Sequence, residues 1–576
     1  MKNITLTQRL VTTDYINLLR IIQSFNILDS IIKNIKSGNM DFEESVIKRI
    51  CNKYIDVYTE LNTEKINAMN KISRDNSTEV NIRNIRIDTY KGALSVHISY
   101  KNDDDIKPFL TNGWIIDNDL TTSYRCSQFR YDELVSKYMG LIGEKIDPSR
   151  SPYSDITFQV TNKCNLCCTY CYQNNKGQKR MSFETGKKAI DFLLSRTKDN
   201  CDYINPDDNP FISIEFVGGD GLLEIDLVDD LLNYFVEQCV KLDHPWLLSW
   251  KAHVSTNGVL YRNERVQEVI NKWGYALDMV ITVDGNKELH DMCRIFPDGS
   301  GSYDLAMDAV LEELNKGNGP GTKITLSPDN LHLLSDSIID LINNGLLHIW
   351  FNGIYEHNWT VEEAKLYYNE CKRITDWVFE NNLYDKIDFI TFNPMLLSKT
   401  YLDDDDNANY CGGDGHMLAI SPDGEFYNCL RYMDSSLNGK QKPLRIGDID
   451  NGIGVINSDI DNIRMMKEIT RKSQSTDECL NCPLNAGCSW CSAYNYEVYG
   501  TPNKRSTNIC NFHKAEILAT FYYWVKMYMY NAVYPKDIQK LNLDKSIYHL
   551  VNGIISANEF DILIKNVERV NSSYGL

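Results

Sequence analysis

The chain lacks any apolar run long enough to cross a bilayer, and its first residues, MKNITLTQRLVTTDY, lack the apolar core of a secretory signal. A membrane partner and export are therefore not expected, and a cytoplasmic location is. Positive charge is scarce: 60 lysines and arginines face 79 acids, for a net charge of −19. A surface of that sign repels a phosphate backbone, so nucleic acid is not an expected partner. A reducing compartment also argues against a disulfide scaffold, which leaves metal as the better explanation of the 17 cysteines. The 576 residues exceed a single core, and 43% apolar composition suits folded domains, so two to four are expected.

Apolar spacing in DYINLLRIIQSFNILDSIIKNI and DFEESVIKRICNKYIDVYTEL predicts helices, the second capped by Asp41, so residues 1–85 read as a helical region. NIRNIRIDTYKGALSVHISYKN alternates like strands about a KG turn, which gives a small β-containing segment over 86–150. Cys51 and Cys126 have no close cysteine partner and read as buried thiols. From 155 the texture changes. DITFQVT, FISIEFVGG, WKAHVSTNG, LDMVITVDG, KITLS and LHIWFNGI read as strands, and helical segments follow each of them, making six β/α units. Near-continuous apolar strands predict an α/β fold over 151–382, a parallel sheet covered by helices and closed wholly or partly into a barrel. Active sites in such sheets lie at the strands' carboxyl ends, and VTNKCNLCCTYCYQ follows the first strand directly.

In that stretch Cys164, Cys168 and Cys171 form C-x3-C-x2-C, with Tyr170 just before the last cysteine. Three thiolates can hold three irons of a cubane cluster and leave the fourth iron open for reaction. The alternative is structural zinc on Cys164/Cys167 and Cys168/Cys171, which would crowd adjacent residues onto one metal. Cys167 is then an extra thiol expected to pack. A second cysteine field spans 383–515. Cys411 and Cys429 flank MLAISPDGEFYNC, read as a hairpin turned by PDG. Cys479, Cys482, Cys488 and Cys491 follow as C-x2-C-x5-C-x2-C, with Cys510 last. Zinc is the alternative there too, since C-x2-C knuckles are generic. Residues 516–576 hold the end of an aromatic-rich helix, HKAEILATFYYWVKMYMYN, and a tail.

The first motif resembles the signature of the radical S-adenosylmethionine (SAM) enzymes, in which the open iron chelates the amino and carboxylate groups of SAM and reductive cleavage yields a 5′-deoxyadenosyl radical. The resemblance implies a TIM-like partial (β/α)6 barrel in which Tyr170 joins the SAM-binding residues. Gly218, Gly219 and Asp220 stand where the family usually has Gly-Gly-Glu-Pro, and so face the methionine part. By the same resemblance Ser255 and Asn257 face the ribose, Asp284 the chamber and Arg294 the SAM carboxylate; His290 and Asp291 are as readily structural. The seven later cysteines resemble the SPASM extension with its two auxiliary clusters. That implies Cys479, Cys482, Cys488 and Cys510 around an outer cluster and Cys411, Cys429 and Cys491 around an inner one, three [4Fe-4S] clusters in all. No cysteine between 372 and 410 completes the inner set, which leaves its fourth iron open to a substrate thiolate, to His416 or to an acid of LDDDDNANY. The family's last spacing is commonly C-x3-C, whereas Cys488 and Cys491 are two residues apart.

Longer stretches, including DGNKELHDMCRIFPDG and QSTDECLNCPLNAGCSWCSAYNYEVYGTPNKRSTNICNFHKAE, resemble the radical SAM peptide maturases paired with CXXX-repeat precursor peptides, over about residues 150–525. That resemblance implies a ribosomally made, cysteine-containing precursor peptide with a leader as partner, thioether crosslinking as the reaction, and an electron donor such as flavodoxin or ferredoxin. It also makes residues 1–150 a candidate leader-binding region that adds an edge strand. The competing readings are a protein maturase of the sulfatase-activating type, and a non-catalytic iron-sulfur electron carrier or binding scaffold.

Overall fold

The computed structural model describes residues 153–173, 176–195, 211–248, 250–316, 321–397, 417–437, 439–484, 488, 490–533 and 538–576, with three strands and a few helical residues before 153. The early strands are β1 (Lys2–Thr7), β2 (Asn81–Asp88) and β3 (Ala93–Tyr100), antiparallel in the order β1-β3-β2. The strands expected on either side of KG both form, while the KG residues lie outside the described ones, and the helical reading of 1–85 is corrected at its start. KNITLT is a strand whose partner lies some ninety residues on, a pairing that local periodicity does not reveal, and β2 begins inside the region read as helical. Of the two expected helices, residues 30–36 are helical, while most of the second lies outside the described residues, as do Cys51 and Cys126. The helical piece is docked: Ser30 Oγ donates to the Trp273 carbonyl at 2.8 Å, and Ile27 and Ile31 join the main core.

All six β/α strands form. β4 (Tyr153–Thr161), β5 (Phe211–Gly218), β6 (Trp250–Thr256) and β7 (Leu277–Ile281) are parallel neighbours. β8 (Thr322–Leu326) and β9 (His348–Gly353) make a second parallel group, extended by β10 (Asp388–Phe389). Across the gap between the groups, Thr322 Oγ1 donates to the Val283 carbonyl at 2.5 Å. Helices α1 (Phe183–Leu194), α2 (Ile225–Leu242), α3 (Glu264–Trp273), α4 (Lys287–Cys293), α5 (Tyr303–Asn315), α6 (Leu334–Asn343) and α7 (Val361–Glu380) follow these strands. In α2 the buried Val228, Leu231, Leu232, Phe235, Val236 and Cys239 recur at three and four spacing, each contributing about 2 kcal/mol relative to exposure. Ser182 caps α1 by accepting from Thr185 N, and Thr360 and Glu363 close a capping box on α7.

The strands are less uniformly apolar than the sequence reading holds. In β6, Trp250, Ala252, Val254 and Thr256 are buried while Lys251, His253 and Ser255 are half-buried. One face packs under the helices; the other carries polar, partly exposed side chains and is the lumen side of the incomplete barrel.

Beyond the barrel, β11 (Met417–Ile420) pairs in parallel with β4, Met417 opposite Asp155 and Ile420 opposite Phe158. The expected hairpin to β12 (Glu425–Tyr427) is present, its turn made by Gly424 at φ +83°. β13 (Gly447–Asp448) and β14 (Gly452–Ile453) complete an eight-stranded sheet in the order β14-β13-β12-β11-β4-β5-β6-β7. Helices α8 (Asn457–Lys467) and α9 (Ser492–Tyr499) follow, then α10 (Cys510–Met529), the expected aromatic helix. It is anchored on the barrel: Trp524 Nε1 donates to the Phe392 carbonyl at 2.8 Å, and Tyr523 stacks on Phe392. The tail folds into α11 (Ala557–Tyr574), capped by a Ser556–Glu559 box.

Candidate functional site

Thr161 closes β4, and the following loop is held from several sides. Cys167 N donates to the Ile295 carbonyl at 2.8 Å and Thr169 N to the Cys293 carbonyl at 2.9 Å, so the loop lies along the segment after α4. Leu166 N donates to Cys164 Sγ at 3.4 Å. Cys164, Cys168 and Cys171 are half-buried and interact electrostatically with one another, whereas Cys167 is exposed and does not pack as expected. Burial pushes the Cys168 thiol up to about 11, with the Arg294 and Lys176 charges opposing.

The paired glycines after β5 are explained by close approach. A Cβ on Gly219 would sit 2.1 Å from the Lys163 carbonyl oxygen and 2.7 Å from Cys164 Cβ, and one on Gly218 would sit 2.4 Å from the Thr161 carbonyl oxygen. Backbone bonds exploit this contact: Gly219 N donates to Thr161 O at 3.1 Å and Asp220 N to Lys163 O at 2.9 Å. Asp220 is 1% exposed, and its carboxylate accepts from Leu222 N at 2.9 Å, Thr256 Oγ1 at 2.9 Å and Asn257 N at 3.1 Å. The shortened acid therefore ties the loop after β5 to the loop after β6. Asn257, held there, donates through Nδ2 to Asn165 Oδ1 at 2.5 Å. Ser255 faces the lumen and donates to Glu215 Oε1 at 2.7 Å.

On the opposite wall Asp284 is fully buried, and burial pushes its carboxyl up to about 6 against the pull of Arg294, Thr325 N and Lys323. Tyr170 donates to its Oδ2, Arg294 Nη1 donates to Tyr170 at 2.9 Å, and Arg294 lies 3.7 Å from the same carboxylate. His290 fixes this corner: Nδ1 accepts from Asp284 N at 3.2 Å, which places the proton on Nε2, 3.0 Å from Ser302 Oγ. Ser302 in turn donates to the Arg294 carbonyl at 2.8 Å. Burial holds His290 down at about 3, so it is neutral, and Asp291 accepts from Tyr303 N at 2.9 Å. Both are structural supports.

Two buried donors beside the three cysteines, Arg294 Nε and Asn165 Nδ2, have no hydrogen-bond partner among the described residues. Unpartnered buried donors are costly, and they fit a ligand rich in acceptors and negative charge, as the carboxylate of SAM and an iron-sulfur cluster are. Among the described residues no three His, Cys, Asp or Glu side chains converge on a single-ion site. One zinc would draw its thiolates to about 3.8 Å from each other, whereas a cubane spreads them more widely.

In the second field, Cys479, Cys482, Cys488 and Cys510 lie within electrostatic reach of one another, the last at the start of α10. Cys429 and Cys491 pack on one small core with Tyr427, Tyr432 and Tyr496, and Cys491 Sγ accepts from Tyr494 N at 3.4 Å. Cys411, His416 and the acids of LDDDDNANY lie outside the described residues.

No protein-family model matches the chain. Among curated proteins, an uncharacterized protein of Methanocaldococcus jannaschii is 32% identical over 34% of this chain, and the chain spans 61% of that relative's length. Radical SAM cyclopropyl synthase TigE of Paramaledivibacter caminithermalis is 22% identical over 62% of the chain and 72% of its own length. The antilisterial bacteriocin subtilosin biosynthesis protein AlbA of Bacillus subtilis is 23% identical over 63% and 71%. A solved structure of native anSMEcpe with bound AdoMet superposes with a TM-score of 0.50 at 16% identity, over 66% of this chain and all of that one. The chain shares the fold of that AdoMet-bound structure.

Several residues of this barrel site escape a reading of motifs. Lys176 Nζ donates to the Leu166 carbonyl at 3.1 Å; burial opposes its charge, but the nearby thiols outweigh this and hold it above its ordinary value. Glu215 is visible in hindsight as the one acid in FISIEFVGG. Lys323 is reached by solvent yet walled by protein, as befits a lumen position on β8, and burial holds it low with Asp284 opposing. Arg431 bridges the barrel and the second field, paired with Glu356 and lying 5.3 Å over the Tyr172 ring. None of these carries a spacing signal.

Proposed function

We propose that the chain is a radical SAM enzyme that modifies a ribosomally made, cysteine-containing precursor peptide by thioether crosslinking. The observation that carries this reading is the convergence of Cys164, Cys168 and Cys171 beside the unpartnered Arg294 Nε and Asn165 Nδ2, at the mouth of a polar lumen. A cluster and SAM bound there supply a 5′-deoxyadenosyl radical. The chain's own groups orient and exclude: Tyr170, Asp284 and Arg294 make a rigid charged wall for the SAM carboxylate, and the backbone of Gly218 and Gly219 admits the methionine part. The Asp220 side chain, already engaged, shapes the pocket instead of binding the amino group. Glu215 and Ser255 offer polar partners toward the ribose. A peptide closing the lumen would keep water and stray hydrogen donors from the radical.

Cys479, Cys482, Cys488 and Cys510 fit an outer auxiliary cluster, and Cys411, Cys429 and Cys491 an inner one, for three [4Fe-4S] clusters. The names of the relatives support a peptide product (bacteriocin biosynthesis) and radical bond formation (cyclopropyl synthesis). The outer edges of β1 and β2, unpaired among the described residues, suit addition of a leader strand. A flavodoxin or ferredoxin is the proposed electron donor. Among the described residues no helix is long and apolar enough to cross a membrane.

The test is anaerobic reconstitution with dithionite and SAM, followed by co-expression with a neighbouring short cysteine-rich reading frame. 5′-Deoxyadenosine and a peptide lighter by two hydrogens per link, with its cysteine no longer alkylated, are the expected results. Bound iron without 5′-deoxyadenosine would overturn the enzymatic reading. A lighter peptide whose cysteines all remain alkylatable would move the assignment to a carbon–carbon link.

A further inference from the structure

The second cysteine field contains an arginine whose charge is not answered by an acid among the described residues. Arg505 is 8% exposed, and its backbone N donates to the Gln474 carbonyl at 2.9 Å. Nη1 donates to Cys488 Sγ at 3.1 Å, and the guanidinium lies 4.8 Å over the Trp490 ring. Nε and Nη2 are buried and have no hydrogen-bond partner among the described residues. Three other shielded arginines have carboxylates: Asp284 for Arg294, Glu356 for Arg431 and Asp459 for Arg445. Among the described residues no carboxylate comes within ion-pair distance of Arg505. A buried guanidinium in that state is unfavourable unless something anionic faces it, and what faces it is sulfur.

Resting on the reading that Cys479, Cys482, Cys488 and Cys510 hold a four-iron cluster, we propose that Arg505 sets the reduction potential of that cluster, its fixed charge and N–H···S bond favouring the reduced state. Reduction adds one electron to the cluster and makes or breaks no bond, so the added negative charge is felt directly by a cation a few ångströms away in a poorly solvated site. Arginine suits the task better than lysine: it cannot lose its proton, it is weakly hydrated, and its planar fork stacks on Trp490 while one arm reaches sulfur. A cluster poised in this way is an electron acceptor. Forming a carbon–sulfur bond from a substrate radical and a thiol releases a proton and leaves one electron to be removed, and the outer cluster would be suited to take it.

The test is an EPR-monitored titration of the reconstituted full chain with dithionite and mediators, the outer-cluster signal being assigned by its loss in Cys488→Ala. Arg505→Gln should shift the one-electron equilibrium of that signal toward the oxidised form by about tenfold or more, about 59 mV for one electron. Arg505→Lys, which keeps the charge, should recover most of the shift. An unmoved signal in Arg505→Gln at full iron content overturns the proposal, as does loss of the cluster from both variants, which would make Arg505 an assembly residue. If Cys488→Ala leaves iron and signal unchanged, the underlying cluster assignment fails instead.

Discussion

Around Cys164, Cys168 and Cys171 the fixed charges come in balanced sets: Arg294 faces Asp284, Lys176 sits among the thiols, and Glu215, Ser255 and Lys323 line a lumen that water reaches. Around Cys488 the one strongly shielded cation, Arg505, has sulfur before it and an indole behind. Under the proposed function, the unpartnered donors of the first region would meet a guest that brings its own carboxylate, and Arg505 in the second would face a resident anionic cluster. On that reading the counter-charges around a cysteine cluster, more than the spacing of its ligands, would separate a site that exchanges its occupant from one that stores electrons.

Removing the three thiols together as Ala is the harshest way to break the contrast. 5′-Deoxyadenosine production should fall to background while iron and the EPR signal of the second field persist; loss of both signals would show that the regions do not assemble separately. Next in size, Arg294→Ala leaves Asp284 buried with its counter-ion gone, which costs about 3–5 kcal/mol near neutral pH. Urea denaturation measures this, and calorimetry should show SAM affinity falling with it; an unchanged midpoint would mean that the pair is not a unit.

Gly219→Ala drives a methyl group against the Lys163 carbonyl and should cost about 1–3 kcal/mol, with iron lost from the first region before the second. The mildest change sharpens the comparison through pH. Asp284 has its carboxyl raised from 3.8 to about 6, so the folded chain binds that proton more tightly than the unfolded one. Its effect is a penalty, absent below the ordinary value, growing as pH rises from about 4 to about 6 and constant above, roughly 3 kcal/mol in all. Asp284→Asn should remove that slope from the iron-free chain, read as urea midpoints at pH 4, 5, 6 and 7. A slope equal to that of the unsubstituted chain would show that the carboxyl is not raised.

The strands, the hairpin at PDG and the grouping of cysteines were legible because each rests on residues close in sequence. The role of Asp220 was not: GGDG looks like a weakened copy of a ligand motif, and only the placement of Thr256 and Asn257 shows its carboxylate already in use. Arg505 lies in a run of polar residues, and nothing local marks it as buried. β1 failed for the same reason, its partner being set by the tertiary fold. Lumen polarity was half visible, since WKAHVST and FISIEFVG alternate, yet a parallel strand is expected to be apolar on both faces.

The parallel pairing of β11 with β4 bears on how such proteins can be rearranged. The strand that delivers the first three cysteines is also the seam to which the rear cysteine-bearing segment is stitched, through four consecutive residue pairs. Deleting that segment would bare the flank of the barrel's opening strand, and grafting one from a distant relative would require matching its register to within a residue. Front and rear thus share one strand register, and any exchange of either part has to preserve it.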